Sequence, residues 1–199
     1  NKKDYDTAEE VLLVNNETNE MIVSQNIFER TYPASTTKIM TALLALENLN
    51  LEDEVTISHD ITFDDSAAAS MGLKKGDKIS VEALLNALIV MSANDAGVAL
   101  AEAVAGSEDK FVDMMNERAQ ELGATGTHFA NPHGLHEKDH YTTAYDLYLI
   151  FKEVAKHNEY FDIAGKANSY IEYTSASGQL RAYDMSSTDE YLTGEYALP

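Results

Sequence analysis

Residues 33–47, PASTTKIMTALLALE, predict a buried helix with a charged residue near its start. From Ile39 to Leu46 every residue but one threonine is apolar, and a helix that is apolar all round is a buried one. Because burying an unpaired ammonium is costly, Lys38 needs a partner or a chemical role. Ser35 lies three residues earlier, and residues i and i+3 share a helix face with Cβ atoms about 5–6 Å apart. The lysine amine could therefore reach the serine hydroxyl.

Length and composition restrict what such a helix can belong to. The chain has 199 residues, of which 44% are hydrophobic, enough for one sizeable globular domain or two small ones. Its formal net charge of -20 argues against binding to nucleic acid. The absence of cysteine excludes disulfides, thiolate zinc sites and cysteine catalysis. The first ten residues, NKKDYDTAEE, hold no signal-peptide core, and no apolar run has the length of a membrane span.

The periodicity along the chain predicts strands, then helices, then strands. The predicted strands are residues 10–15, 20–25, 54–58, 170–174 and 179–185. The predicted helices are residues 35–48, 81–91, 95–105, 108–122 and 143 to about 157, with Ser80, Thr143 and Gly123 as capping residues. Residues 60–77 and 124–141 are predicted to be irregular. This order indicates an α+β fold in which a helical lobe is inserted between the strands of an antiparallel sheet.

Ser35 and Lys38 have the residue types of a nucleophile and its base. A serine hydroxyl is a weak nucleophile until a neighbouring base takes its proton. Lys38 can do so only if its pKa falls well below about 10.4, which burial or a second cation would cause. Ser92 and Asn94 lie at a break between two buried helices. They could provide a hydroxyl relay and an amide that binds lysine or substrate.

The spacing of these motifs is weak by itself, because the chain repeats each of them. Ser107 and Lys110 are also Ser-x-x-Lys, and Ser24 and Asn26 are also Ser-x-Asn. Ser107 has the position of an N-cap on an exposed helix, and Ser24 fits the alternation of a strand. The residues alone leave a chemical and a structural role for Lys38 equally open.

Three longer segments carry a family resemblance. Residues 33–47 resemble the nucleophile helix of the serine-type D-alanyl-D-alanine carboxypeptidases, the low-molecular-mass penicillin-binding proteins. Residues 91–102, MSANDAGVALAE, resemble their Ser-x-Asn segment, and residues 129–150, FANPHGLHEKDHYTTAYDLYLI, resemble their Asn-x-x-Gly-Leu loop and the following helix. The resemblance implies the fold shared by penicillin-binding proteins and β-lactamases.

The resemblance also implies roles for four residues. Ser35 would attack the bond between the two terminal D-alanines of a peptidoglycan stem peptide, and Lys38 would be the general base. Ser92 would relay a proton to the departing D-alanine, and Asn94 would position Lys38 and the substrate. Ser35 and Asn94 would thus also bind substrate, no cofactor or metal is implied, and β-lactams would acylate Ser35. The expected location is extracytoplasmic, with membrane attachment only through segments absent from this chain.

One motif of the family is missing. The Lys-Thr-Gly strand has its nearest match in Leu192-Thr193-Gly194, which lacks the lysine. We therefore expect an incomplete domain: a hairpin in residues 1–32, a mainly helical lobe in 33–165 and the first returning strands in 166–199. The alternative is a non-catalytic penicillin- or muropeptide-binding homologue that has lost the motif.

Two further interpretations have less support. A class A β-lactamase requires a Glu-x-x-x-Asn pattern after the Ser-x-Asn segment, but the residue four positions after Glu137 is Tyr141. His128, His133, His136 and His140 have spacings that a zinc site could use. Their glycine-containing segment instead favours a surface loop.

Overall fold

The computed structural model of the protein describes residues 8–65 and 68–194. Its strands are β1 (Val11–Val14), β2 (Met21–Gln25), β3 (Glu54–Thr56), β4 (Lys78–Ser80), β5 (Asn168–Thr174) and β6 (Leu180–Ser186). A one-turn 3-10 helix, Ala34–Thr37, leads into α1 (Lys38–Asn48). The other helices are α2 (Val81–Val90), α3 (Asn94–Ala105), α4 (Glu108–Glu121), α5 (Ala144–Val154), α6 (Asn158–Ala164) and α7 (Glu190–Thr193). The predicted α+β class is confirmed.

The strands form two antiparallel sheets in the described part of the chain. β1 and β2 make the predicted hairpin, whereas the second sheet has the order β3-β4-β5-β6. The sequence analysis placed the early and the returning strands in one antiparallel sheet. In the described residues, however, β5 and β6 belong to the second sheet and do not pair with the hairpin. β5 instead meets β4 through Lys78 and Thr174. Its alternate residues Ser169 and Ile171 are buried, because this face of the strand lies against α2.

Local capping explains where several helices begin. Ser80 accepts a hydrogen bond from the backbone of Ala83, and Thr143 accepts one from Asp146, as predicted. Ser107 accepts one from the backbone of Lys110, so the second Ser-x-x-Lys motif is a helix cap. Three elements were not predicted, β4, α6 and α7. They are short, with three, seven and four residues, and too brief to show a clear hydrophobic period.

Helix α1 lies between two clusters of buried side chains. Its Ala42 and Ala45 belong to a cluster with α2, α3, β5 and β6. Met40, Leu43 and Leu44 belong to a second cluster with residues of α4 and α5. Leu43 is fully buried, and cutting back such a leucine to alanine costs about 2–5 kcal/mol. Burial on both sides fixes α1 and the turn before it within the molecule.

No helix in residues 8–65 or 68–194 is both long and apolar enough to cross a membrane.

Candidate active site

Ser35 lies in the one-turn 3-10 helix before α1, and not within α1 as predicted. Ala34 has a φ of +47°, a left-handed conformation that few residues other than glycine adopt. The chain therefore enters the helix through a sharp turn, and Ser35 stays exposed at the surface. Lys38, the first residue of α1, is only 5% exposed. The arrangement combines an accessible hydroxyl with a buried amine.

The amine of Lys38 contacts three oxygen atoms. Its Nζ lies 2.7 Å from Oδ1 of Asn94 and 2.6 Å from the backbone carbonyl oxygen of His133. The third contact, 3.4 Å, is to Oγ of Ser35. None of the ion pairs in the described residues includes Lys38. Lys38 is thus a buried amine with neutral partners.

This environment favours the uncharged amine. Burial lowers the pKa of Lys38 from 10.5 to about 8, because an ammonium loses its hydration and gains no opposite charge. A neutral amine has two hydrogens and one lone pair. With the hydrogens donated to Asn94 and to the His133 carbonyl, the lone pair is left for the hydroxyl hydrogen of Ser35. This is the geometry required of a general base.

The His133 carbonyl is held in place by the loop of residues 131–135. The Asn131 side-chain oxygen accepts hydrogen bonds from the backbone N–H groups of His133 and Gly134, at 3.2 and 2.7 Å. Its amide nitrogen donates to the carbonyl of Leu135 at 2.9 Å. Thr41 of α1 donates to the carbonyl of Pro132 at 2.6 Å. These bonds fasten the loop to the helix that carries Lys38.

Gly134 lies directly against the turn that precedes Ser35. A Cβ atom added at this glycine would lie 1.9 Å from the carbonyl oxygen of Ala34 and 3.1 Å from the backbone nitrogen of Ser35. Its φ is +90°, which also favours glycine. The absence of a side chain here lets the loop touch the peptide unit that joins Ala34 to Ser35.

Ser92 and Asn94 come from the junction between α2 and α3. Ser92 has a φ of +60°, an uncommon conformation for a non-glycine residue, and it lies at the break between the two helices. Asn94 is buried, and its side chain reaches Lys38. Ser35, Lys38 and Ser92 line one pocket of about 480 Å³. The four residues expected from the sequence therefore converge on one place.

The same pocket has walls that the sequence did not indicate. Tyr160 of α6, and Thr188 and Asp189, which follow β6, also line it. The backbone of Thr188 donates to the carbonyl of Val90 at 3.0 Å, which holds this segment at the end of α2. Leu192-Thr193-Gly194 ends the short helix α7. It therefore lacks the strand conformation expected of a Lys-Thr-Gly motif.

The histidine-containing segment differs from the expected surface loop. His128 and His136 are exposed, but His133 and His140 are buried, with 8% and 1% of their surfaces exposed. Burial lowers the pKa of each to about 4, and the charge of Lys38 contributes at His133. Within residues 8–65 and 68–194, no three His, Asp or Glu side chains are grouped to hold a metal ion.

Comparison with known proteins identifies the family. A model described as D-alanyl-D-alanine carboxypeptidase, Peptidase S11, matches residues 2–193. The chain therefore belongs to the S11 peptidase family, and the resemblance drawn from its motifs is confirmed.

Individual relatives and a solved structure agree with this assignment. D-alanyl-D-alanine carboxypeptidase DacF of Bacillus subtilis is 37% identical over 82% of this chain and 43% of its own length. DacC of Escherichia coli is 37% identical over 71% of this chain and 38% of its own length. The Streptomyces K15 DD-transpeptidase superposes with a TM-score of 0.82 at 28% identity, covering 94% of this chain and 77% of that one. The chain thus spans about two fifths of the length of these curated relatives.

Proposed function

We propose that the protein is a D-alanyl-D-alanine carboxypeptidase that acts through an acyl-enzyme on Ser35. The observation that carries the proposal is the buried amine of Lys38, whose two short hydrogen bonds leave its lone pair for the exposed hydroxyl of Ser35. Membership of the S11 family supports the same reaction. The substrate class is a peptidoglycan stem peptide that ends in two D-alanines, which places the reaction outside the cytoplasm.

In the first half of the reaction, Oγ of Ser35 bonds to the carbonyl carbon of the penultimate D-alanine while Lys38 takes the hydroxyl proton. The carbonyl oxygen becomes an oxyanion near the backbone nitrogen of Ser35, at the start of the helical turn. The carbon–nitrogen bond then breaks. The departing amine receives a proton, for which the Ser92 hydroxyl, on the same pocket, is the relay. Free D-alanine leaves, and an ester on Ser35 remains.

In the second half, water attacks the ester carbon and gives up a proton to Lys38. The Ser35–acyl bond breaks, the shortened peptide leaves with a new carboxylate, and the proton returns to Ser35. A β-lactam acylates Ser35 in the same way, but its leaving amine stays attached to the acyl group. Asn94 holds the Lys38 amine at 2.7 Å, and its proposed second role is to position the substrate.

The test is the release of D-alanine from a synthetic tripeptide ending in D-Ala-D-Ala, with the complete gene product that contains these residues. We expect release by the unaltered protein and by Ser107→Ala, the matched control in the second Ser-x-x-Lys motif. Ser35→Ala should release none. Equal release by Ser35→Ala would contradict the proposal. β-lactam labelling without D-alanine release would favour the non-catalytic penicillin-binding homologue.

A further inference from the structure

His140 is the most completely buried histidine in the described residues, and it reaches the helical turn that carries Ser35. Its Nε2 atom lies 2.6 Å from Oγ1 of Thr37, the residue immediately before Lys38. Its Nδ1 atom lies 2.8 Å from the backbone nitrogen of Ala130. The ring is 1% exposed and packs edge-on against Phe129 at 5.8 Å between centroids. None of the steps proposed above uses this residue.

The contacts of the ring define its protonation. A backbone N–H can only donate, so Nδ1 of His140 must be the acceptor for Ala130. The hydrogen of the neutral ring is then on Nε2, which donates to Oγ1 of Thr37. A doubly protonated ring would direct an N–H at the N–H of Ala130. Burial, with smaller contributions from His128 and His136, lowers the pKa of His140 to about 4, consistent with a neutral ring.

The two hydrogen bonds join the two segments that surround the Lys38 amine. Thr37 is fully buried, is covalently linked to Lys38 and lies in the same 3-10 turn as Ser35. Ala130 directly precedes the loop of residues 131–135, whose His133 carbonyl binds the amine. A displacement of either segment changes the position of Nζ of Lys38 relative to Oγ of Ser35.

We propose that His140 is a positioning residue for the reaction: its neutral ring clamps Thr37 to the backbone of Ala130, and this clamp sets the distance between the Lys38 amine and the Ser35 hydroxyl. The proposal rests on the function proposed above. It assigns to His140 no contact with substrate.

Two substitutions separate the two bonds. His140→Asn keeps an acceptor where Nδ1 lies but cannot reach Thr37, whereas His140→Gln keeps a donor where Nε2 lies but loses the acceptor for Ala130. Thr37→Val removes the hydroxyl and preserves the shape. His136→Gln, an exposed histidine of the same loop, is the control. All are made in the complete gene product and measured well below each variant's unfolding temperature.

The main measurement is the rate constant of acylation by a fluorescent penicillin at saturating concentration. A displaced base slows the chemical step by up to about 100-fold, with little effect on the initial binding of penicillin. We expect this loss in His140→Asn and Thr37→Val, and a smaller one in His140→Gln, while His136→Gln stays within about twofold of the unaltered protein. When Thr37→Val is already present, adding His140→Asn should not lower the acylation rate constant further, because both substitutions remove the same hydrogen bond. Rates within about twofold in both His140 variants, with only their unfolding temperatures lowered, would overturn the proposal.

A second measurement separates this proposal from the proposed function. The pKa of Lys38 can be followed by NMR of the ¹³Cε signal without any reaction. Loosening the clamp admits water to the amine, so the pKa should rise from about 8 toward 10.5 in His140→Asn. An unchanged pKa in that variant would reject the clamp, even if the protein hydrolyses D-Ala-D-Ala. If no penicillin acylates the protein but the pKa of Lys38 still rises in His140→Asn, the proposed function would be rejected and the clamp would not.

Discussion

The pKa of Lys38 predicts how acylation depends on pH. Its displacement from 10.5 to about 8 corresponds to about 3 kcal/mol of preference for the neutral amine. With that value about a tenth of the protein holds the neutral base at pH 7, and most of it does above pH 9. The rate of acylation by a fluorescent penicillin should therefore rise about tenfold per pH unit on the acid side and level off above about pH 8.

The same displacement has a consequence for stability. Between pH 8 and 10.5 the unfolded chain still binds a proton at Lys38 that the folded chain has lost. The contribution of Lys38 to the free energy of unfolding is therefore lowest below pH 8 and increases as the pH rises through this interval. Below pH 8 the burial of Lys38 thus lowers the free energy of unfolding, as expected for a residue whose role is chemical.

Substitutions at two lysines provide the control for the pH profile. Lys38→Arg keeps a side chain that stays charged at every pH used, so acylation should be lost throughout. Lys110→Arg, in the exposed Ser-x-x-Lys motif, should leave the profile unchanged. A profile of the unaltered protein that is flat between about pH 6 and 9, or that levels off only near pH 10, would refute the assignment of Lys38 as a neutral base.

Two further predictions concern residues that hold the site together. Gly134→Ala should slow acylation by about 100-fold, because the new Cβ displaces the Ala34–Ser35 peptide. The control is Gly178→Ala, since Gly178 has a φ of +79° and an added Cβ there has no atom within 4 Å, so that this variant shares only the backbone strain. Equal acylation rates in the two variants would contradict the prediction. Asp95→Asn should lower the free energy of unfolding by about 2–3 kcal/mol in urea titrations, since the buried carboxylate accepts three N–H bonds from residues 71–73; a loss no larger than that of exposed Asp109→Asn would contradict that account.

The sequence was sufficient to predict that Ser35, Lys38, Ser92 and Asn94 lie together. The all-round apolar pattern of residues 39–46 predicted the burial of α1, and burial distinguished Lys38 from Lys110. The break at Ser92 and Asn94 was visible because two long apolar helices flank it. Side-chain chemistry and helical period are both readable in a single sequence.

Features that depend on backbone atoms and distant pairing were not predictable in this way. The carbonyl of His133 lies 95 residues from Lys38 in the chain, and a carbonyl oxygen has no sequence signature. The start of the 3-10 turn was not predictable, because alanine is a common helix residue and does not indicate the left-handed conformation that Ala34 adopts. The pairing of β5 with β4 follows from three-dimensional packing. The burial of His140 was missed because its neighbours in sequence are polar.

The position of the covalent bond is the most direct test of the central claim, which is that Ser35 is the nucleophile. The complete gene product is incubated with penicillin, and its mass is measured before and after digestion with trypsin. Cleavage after Arg30 and Lys38 yields the peptide of residues 31–38, which contains Ser35, whereas residues 79–110 contain both Ser92 and Ser107. We predict one penicillin per chain, attached to Ser35 and absent in Ser35→Ala. Attachment within residues 79–110, or labelling that persists in Ser35→Ala, would contradict the account.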